Sequence, residues 1–142
     1  MMRQSGFTLL EVLVAILVLS IGLLGLAGLM ASSIRNNHSA QQRTQATWLA
    51  YDVIDRMRVN RPAAIASSDN YDVALGAASG SAGLAGADIT DWKATLANAL
   101  PAGDGSVDVD SVTREVTVVI QWNDSRGTGG LPTQKLQVDT QL

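Results

Sequence analysis

Three hydrophobic patterns succeed one another along this chain. From Val12 to Ala31 twenty residues run with Ser20 as the one polar side chain. At about 1.5 Å per residue, a helix of that length spans the roughly 30 Å hydrocarbon core of a bilayer. Further on, Ala46, Leu49, Ala50, Val53, Ile54 and Met57 follow i, i+3, i+4, i+7, i+8, i+11, which is one apolar face of a helix. Between the two lies the polar stretch SSIRNNHSAQQRTQ (32–45), the expected exit from the membrane. Asn60-Arg61-Pro62 supplies the stop, because proline cannot continue the hydrogen-bond ladder. One helix from about Thr8 to Asn60 would reach roughly 80 Å. Its first half is apolar all round, and its second half has only a stripe to bury.

After Pro62 the signals are shorter. ALGAASGSAGLAGA (74–87) reads as a flexible loop. A short helix is then expected, capped by Thr90 or Asp91, with Trp92, Leu96, Ala99 and Leu100 on one face and Pro101 at its end. Val107 and Val109 alternate with acids, which predicts a strand over 106–110, and Ser111 to Thr113 forms a hairpin turn. Val116, Val118, Ile120 and Trp122 point one way with Thr117, Val119 and Gln121 the other, a half-buried strand. A loop over 123–133 leads to a last strand marked by Leu136, Val138 and Thr140. Connections this short favour antiparallel order. The expected class is α+β, with a long N-terminal helix packed on a small C-terminal antiparallel sheet.

Charge and composition narrow the options for function. Among residues 1–61, six arginines face Glu11, Asp52 and Asp55, a net of +3; residues 62–142 set four cations against ten acids, a net of −6. The acidic C-terminal half lacks the basic footprint of a nucleic-acid binder. Cysteine is absent, which removes disulfides and thiol catalysis. His38 is the one histidine and has no acid beside it, so a solvated residue is expected there. Asp104, Asp108 and Asp110 suggest calcium, but valines interrupt them and no glutamate closes an EF-type loop. A solvated strand face is the expectation. The glycines of 76–86 neither follow a strand nor open a helix, which leaves a phosphate cradle unsupported. The arginines of RMRVNR (56–61) suit a helix C-terminus, where the macrodipole favours cations. No residue is expected to be catalytic, cofactor-binding or metal-ligating, and the chain is not expected to be an enzyme.

The apolar N-terminal segment has three readings. A secretory signal would need a basic start, a short apolar core and a small-residue cleavage site; Arg3 is a thin start, the apolar run is long, and Ala31-x-Ser33 is only a fair site. A plain single-pass anchor is poorly oriented, with Arg3 on one side and Arg35 on the other. Neither explains Glu11. An acid at the centre of a membrane helix costs roughly 2.5–3.5 kcal/mol, less near its end. Glu11 would have to snorkel to the headgroups, favour the positive helix end, or find a partner.

Gly6-Phe7-Thr8-Leu9-Leu10-Glu11-Val12 resembles the type IV prepilin signature: a glycine, an aromatic and an acid ahead of a long apolar helix in fixed register. That resemblance implies cleavage between Gly6 and Phe7 by a prepilin peptidase, methylation of the new Phe7 amine, and retention of the apolar helix. It also implies that Glu11 of one subunit pairs with the Phe7 amine of a neighbour during subunit assembly. Two such charges about 4 Å apart attract strongly where the dielectric is low, and an unpaired buried carboxylate penalises any other register. The implied segments are a leader over 1–6, a transmembrane and filament-core helix over 7–31, its amphipathic continuation over 32–61, and a periplasmic domain over 62–142. Gly22, Gly25 and Gly28 would soften the anchor, each weakening the helix by about 1 kcal/mol relative to alanine, or simply allow close helix approach.

WLAYDVIDRMRVNRP, DWKATLANALPAGDGSVDV and VTVVIQW resemble PilV, the type IV pilus modification family of minor pilins. The resemblance implies a minor pilin that primes pilus assembly, with a place near the tip. Its partners would be other minor and major pilins, the prepilin peptidase and the inner-membrane assembly platform. Its location would be the inner membrane and then the pilus. Many major pilins carry a C-terminal cysteine pair; without one, the sheet alone is expected to hold the final loop. Two alternatives stand beside this reading: a minor pseudopilin of a type II secretion system, and a membrane-tethered periplasmic binding or enzyme-accessory module.

Overall fold

The structure, a computed structural model, describes residues 6–67, 70–127 and 129–142. Of the expected leader over 1–6, residues 1–5 with Arg3 lie outside the described residues. Helix α1 runs over Leu9–Val59, 51 residues and roughly 77 Å. Thr8 caps its start in an extended conformation, its Oγ1 accepting from Glu11 N at 3.3 Å, and Asn60 caps its end. A single turn, α2 (Arg61–Ala64), follows with Pro62 in its first turn, where the missing N–H is harmless. Helix α3 covers Gly83–Ala99. Three strands, β1 (Asp104–Val109), β2 (Glu115–Trp122) and β3 (Gln134–Gln141), form one antiparallel sheet in sequence order.

The α+β arrangement is the one the hydrophobic patterns predict. Ala46, Ala50, Val53, Ile54 and Met57 are fully buried on one face of α1, and Leu49 is partly buried beside them. Val116, Val118, Ile120 and Trp122 are buried on the inner face of β2. Each large apolar side chain withdrawn this way contributes about 1.5–3 kcal/mol. Trp92 closes the third side of the core from α3, donating its Nε1–H to the Leu49 carbonyl of α1 at 2.8 Å. Gly105 lets β1 pass over that indole, since a Cβ there would lie 2.3 Å from the ring.

Four details differ from the sequence reading. Residues 83–87 are helical: α3 starts seven residues before Thr90, whose hydroxyl bonds back to the Gly86 carbonyl within the helix. The reason is packing, because Ala85, Gly86 and Ile89 extend the buried face of Trp92 and Leu96. Strand β1 begins at Asp104, two residues early, and the turn after it is wider. Asp110 accepts from Val112 N and Thr113 N, and Arg114 takes a positive φ of 61°. Arg56 and Arg58 do stand in the last turn of α1 as expected, but they and Arg61 are also bound to specific partners. Arg56 meets Asp52 at 3.0 Å and Asp88 of α3 at 3.7 Å, Arg58 meets Asp55, and Arg61 donates to the Leu142 carbonyl. Finally, the sheet does not hold the 123–133 loop alone. Ser39 of α1 donates to Asp124 Oδ2, a buried carboxylate, and the loop wraps it so tightly that a Cβ at Gly130 would lie 1.8 Å from the Asp124 carbonyl.

The edge of β1 is covered. Val73 and Val107 exchange backbone hydrogen bonds at 2.9 Å, and Asp72 accepts from Val109 N. Beside this cover, Tyr71 is fully buried, accepts from Asn60 Nδ2 and donates to Asp88 Oδ2 at 2.7 Å. Burial first, and then the hydrogen bond to Asp88, push the phenol pKa up to about 12. Stability from the neutral phenol is therefore complete below pH ~10 and is lost as pH rises towards 12, a loss of about 2–3 kcal/mol. Tyr71→Phe is expected to cost about 1–3 kcal/mol at neutral pH, because Asn60 and Asp88 lose their common partner, and to flatten this alkaline loss. Denaturant titrations of both proteins, followed by tryptophan fluorescence from pH 8 to 12, measure the difference. Parallel curves above pH 10 would contradict it.

Candidate functional site: the N-terminus of the long helix

The sequence places Gly6, Phe7 and Glu11 ahead of and within the first turn of α1. In the structure Gly6 and Phe7 lie outside any helix or strand and are exposed, and the helix begins two residues after Phe7. A Cβ added at Gly6 would meet nothing within 4 Å. The Gly6–Phe7 peptide is thus an open, unpacked bond in front of a capped helix, the form of chain a peptidase can take into a cleft.

Thr8 is the residue that sequence reasoning passed over, though the signal was there. Thr8-Leu9-Leu10-Glu11 is a capping-box pattern, with a hydroxyl at the cap and an acid three residues on. Thr8 Oγ1 accepts from Glu11 N, and the Thr8 carbonyl accepts from Glu11 N at 3.1 Å and from Val12 N at 3.3 Å. These bonds fix where the helix begins and hence the direction in which Glu11 leaves it. The carboxylate sits in the first turn, where the helix dipole favours negative charge. Among the described residues it has no ion-pair partner.

Phe7 and Glu11 flank one shallow recess of about 460 Å³ along the helix, walled otherwise by Val12, Ala15, Ile16 and Leu19. Apolar surface continues from there: Phe7 is 82% exposed, and Val12 to Met30 show large side chains to the outside on every face of the helix. This part of α1 is long and apolar enough to cross a membrane, and none of it is buried against the rest of the chain. Gly22, Gly25 and Gly28 lie within unbroken helix and face open space. Something outside the chain must cover so much apolar surface.

Among the described residues the remaining acidic and histidine candidates do not gather as a metal centre. His38 is exposed. Asp108 alone faces solvent from a strand as expected. Asp104 meets Lys93 Nζ at 3.0 Å and accepts from Gly76 N; burial pushes its pKa up, but the Gly76 N–H and the Lys93 ammonium outweigh that and hold it below the ordinary carboxylate value. Asp110 is also held low, by the Thr113 and Val112 N–H groups of its turn.

No curated protein and no solved structure matches the chain. Residues 1–27 match the model of the prokaryotic N-terminal methylation motif. That motif is the prepilin signal, whose family is structural and implies processing by prepilin peptidase, assembly with other pilins and anchoring through the apolar helix. Together with the long helix and the small antiparallel sheet, it supports a type IV pilin-like protein of a pilus or pseudopilus.

Proposed function

We propose that the chain is a minor pilin of a type IV pilus that helps to prime pilus assembly, in or near a tip complex. Its precursor is anchored in the inner membrane by α1 over residues 7–31, with residues 62–142 in the periplasm. Prepilin peptidase cuts between Gly6 and Phe7, and the Phe7 amine is methylated. The helix then leaves the bilayer for a bundle of sibling helices, where Glu11 faces the Phe7 amine of a neighbour. The observation that carries this reading is the Glu11 carboxylate, without an ion-pair partner among the described residues, one helical turn from Phe7 in a recess on an otherwise apolar surface. A solitary anchor gains from that acid only the small helix-dipole and headgroup terms, whereas a bundle also gains a register from it.

The minor role is supported by the resemblance to the PilV family and by the absence of any cysteine to lock the domain covalently. The protein contributes association and not catalysis. Deletion of its gene is expected to lower the number of surface pili sharply, and the tagged protein is expected in sheared pili at far below one copy per major subunit. Normal piliation with a defect in protein secretion would transfer the chain to the pseudopilus of a type II secretion system, which shares helix and sheet.

A further inference from the structure

A cationic feature lies where α1 leaves its apolar half. Arg35, His38 and Gln42 stand at i, i+3 and i+7 on one face of α1, and with Ser125, Arg126 and Gly127 of the β2–β3 loop they line a cavity of about 580 Å³. Two arginines from distant parts of the chain thus border one hollow. Among the described residues neither has a carboxylate partner. The nearest acid in sequence, Asp124, is only 2% exposed, and its Oδ2 is taken by Ser39. The Ser39–Asp124 bond pins the loop to α1 between His38 and Gln42, and Gly127 permits the close approach, since a Cβ there would lie 3.2 Å from Ser39 Cβ. Gln42 Oε1, at the inner wall, is buried with no hydrogen-bond partner among the described residues.

The height of this hollow along α1 identifies its ligand. Arg35 is four residues beyond Ala31, about 6 Å past the end of the apolar run, and His38 about 10 Å. The headgroup layer on each face of a bilayer is about 5–7 Å thick. Helical side chains tilt toward the helix N-terminus, here the membrane side, which lowers the Arg35 tip within that layer and brings the His38 tip down toward it. Below them on the same face come Ala31, which is exposed, and Gly28, where a Cβ would meet nothing within 4 Å.

We propose that Arg35, His38 and Arg126 form a binding site for the phosphate of an anionic phospholipid in the leaflet through which α1 emerges. Guanidinium groups hold such oxygens by paired, charge-assisted hydrogen bonds. The ligand ties the globular half to the membrane surface in a fixed orientation before extraction. The site rests on the reading of α1 as membrane-spanning, but not on cleavage or filament entry, so it is tested on the uncut precursor.

His38 is the sole histidine, so its imidazole gives a single nuclear magnetic resonance probe. The full-length precursor in a neutral detergent is titrated with short-chain phosphatidylglycerol, short-chain phosphatidylcholine and inorganic phosphate. Phosphatidylglycerol is expected to shift the His38 signals saturably, while the other two do so only at concentrations about tenfold higher or more. Arg35→Gln and Arg126→Gln should each weaken binding about tenfold. Arg43→Gln, at an exposed arginine outside the cavity, should leave it unchanged and serves as the control for general charge loss. Equal binding of phosphatidylcholine, equal loss in all three variants, or retained binding in the Arg35/Arg126 double variant would overturn the site. Inorganic phosphate binding as tightly as the lipid, or a short oligonucleotide displacing it at lower concentration, would overturn the lipid as its ligand.

Discussion

Gly6→Val is expected to leave the chain at full length when it is produced with a prepilin peptidase, while the parent loses residues 1–6 and gains a methyl group on Phe7. The expected loss of processing is about a hundredfold or more, the scale on which misplacing a reacting bond by about 1 Å lowers a rate. A branched side chain at Gly6 would narrow the backbone conformations and crowd the peptide that must enter the peptidase. Nothing in the fold would confuse the result. Gly6 is exposed, has open space where a side chain would go, and precedes the Thr8 cap by two residues. Near-ultraviolet dichroism of Gly6→Val should therefore match that of the parent. Intact mass and N-terminal sequencing read the outcome. A parent chain that keeps Met1 in the presence of active peptidase would defeat the pilin reading itself, and efficient cutting of Gly6→Val would move the cleavage site elsewhere.

The long helix was legible from end to end because its signals are local. A hydroxyl cap, an apolar run, a 3.6-residue stripe and a proline stop each act within a few residues, and α1 ends within one residue of the sequence estimate at either end. Strand β2 was legible for the same reason, since its alternation is complete over eight residues. Helix α3 was not. Glycine at positions 83 and 86 argues against helix by about 1 kcal/mol each, and tertiary packing overrides that preference. A Cβ at Gly86 would lie 1.9 Å from the Ser81 carbonyl, so the residue that looked like loop is the one that lets the preceding chain fold against the helix. The Ser39–Asp124 contact, 85 residues apart in sequence, and the pairing of Arg56 with Asp88 depend on how the helix lies across the domain, which no local pattern encodes. At the candidate site the sequence displays the acid and its spacing from the cleavage point. The partner we propose for it, the Phe7 amine of a neighbouring subunit, belongs to another molecule, beyond the reach of any one chain.

Glu11→Ala should leave cleavage intact and lower incorporation into filaments by about two orders of magnitude. The magnitude separates two roles for the acid. As a carboxylate in the first turn of a capped helix, Glu11 gains about 0.3–1 kcal/mol from the helix dipole, so losing that role alone would change an assembly equilibrium less than about sixfold. As half of an ion pair inside a helix bundle, its removal strands the partner amine in an apolar surround, at about 3–5 kcal/mol, or roughly a hundred- to several thousandfold. Glu11→Gln sharpens the distinction, because the amide keeps the shape and one acceptor but not the charge. It should incorporate nearly as poorly as alanine if the charge matters, and much better if only packing does. The Thr8 cap makes the comparison fair: the hydroxyl bond is to the backbone N–H of residue 11, which both variants retain, so the helix starts at the same place in each. The quantity to measure is the ratio of variant to parent protein in sheared pili at equal membrane levels. A ratio within about sixfold of the parent for both variants would reduce Glu11 to a helix-end charge.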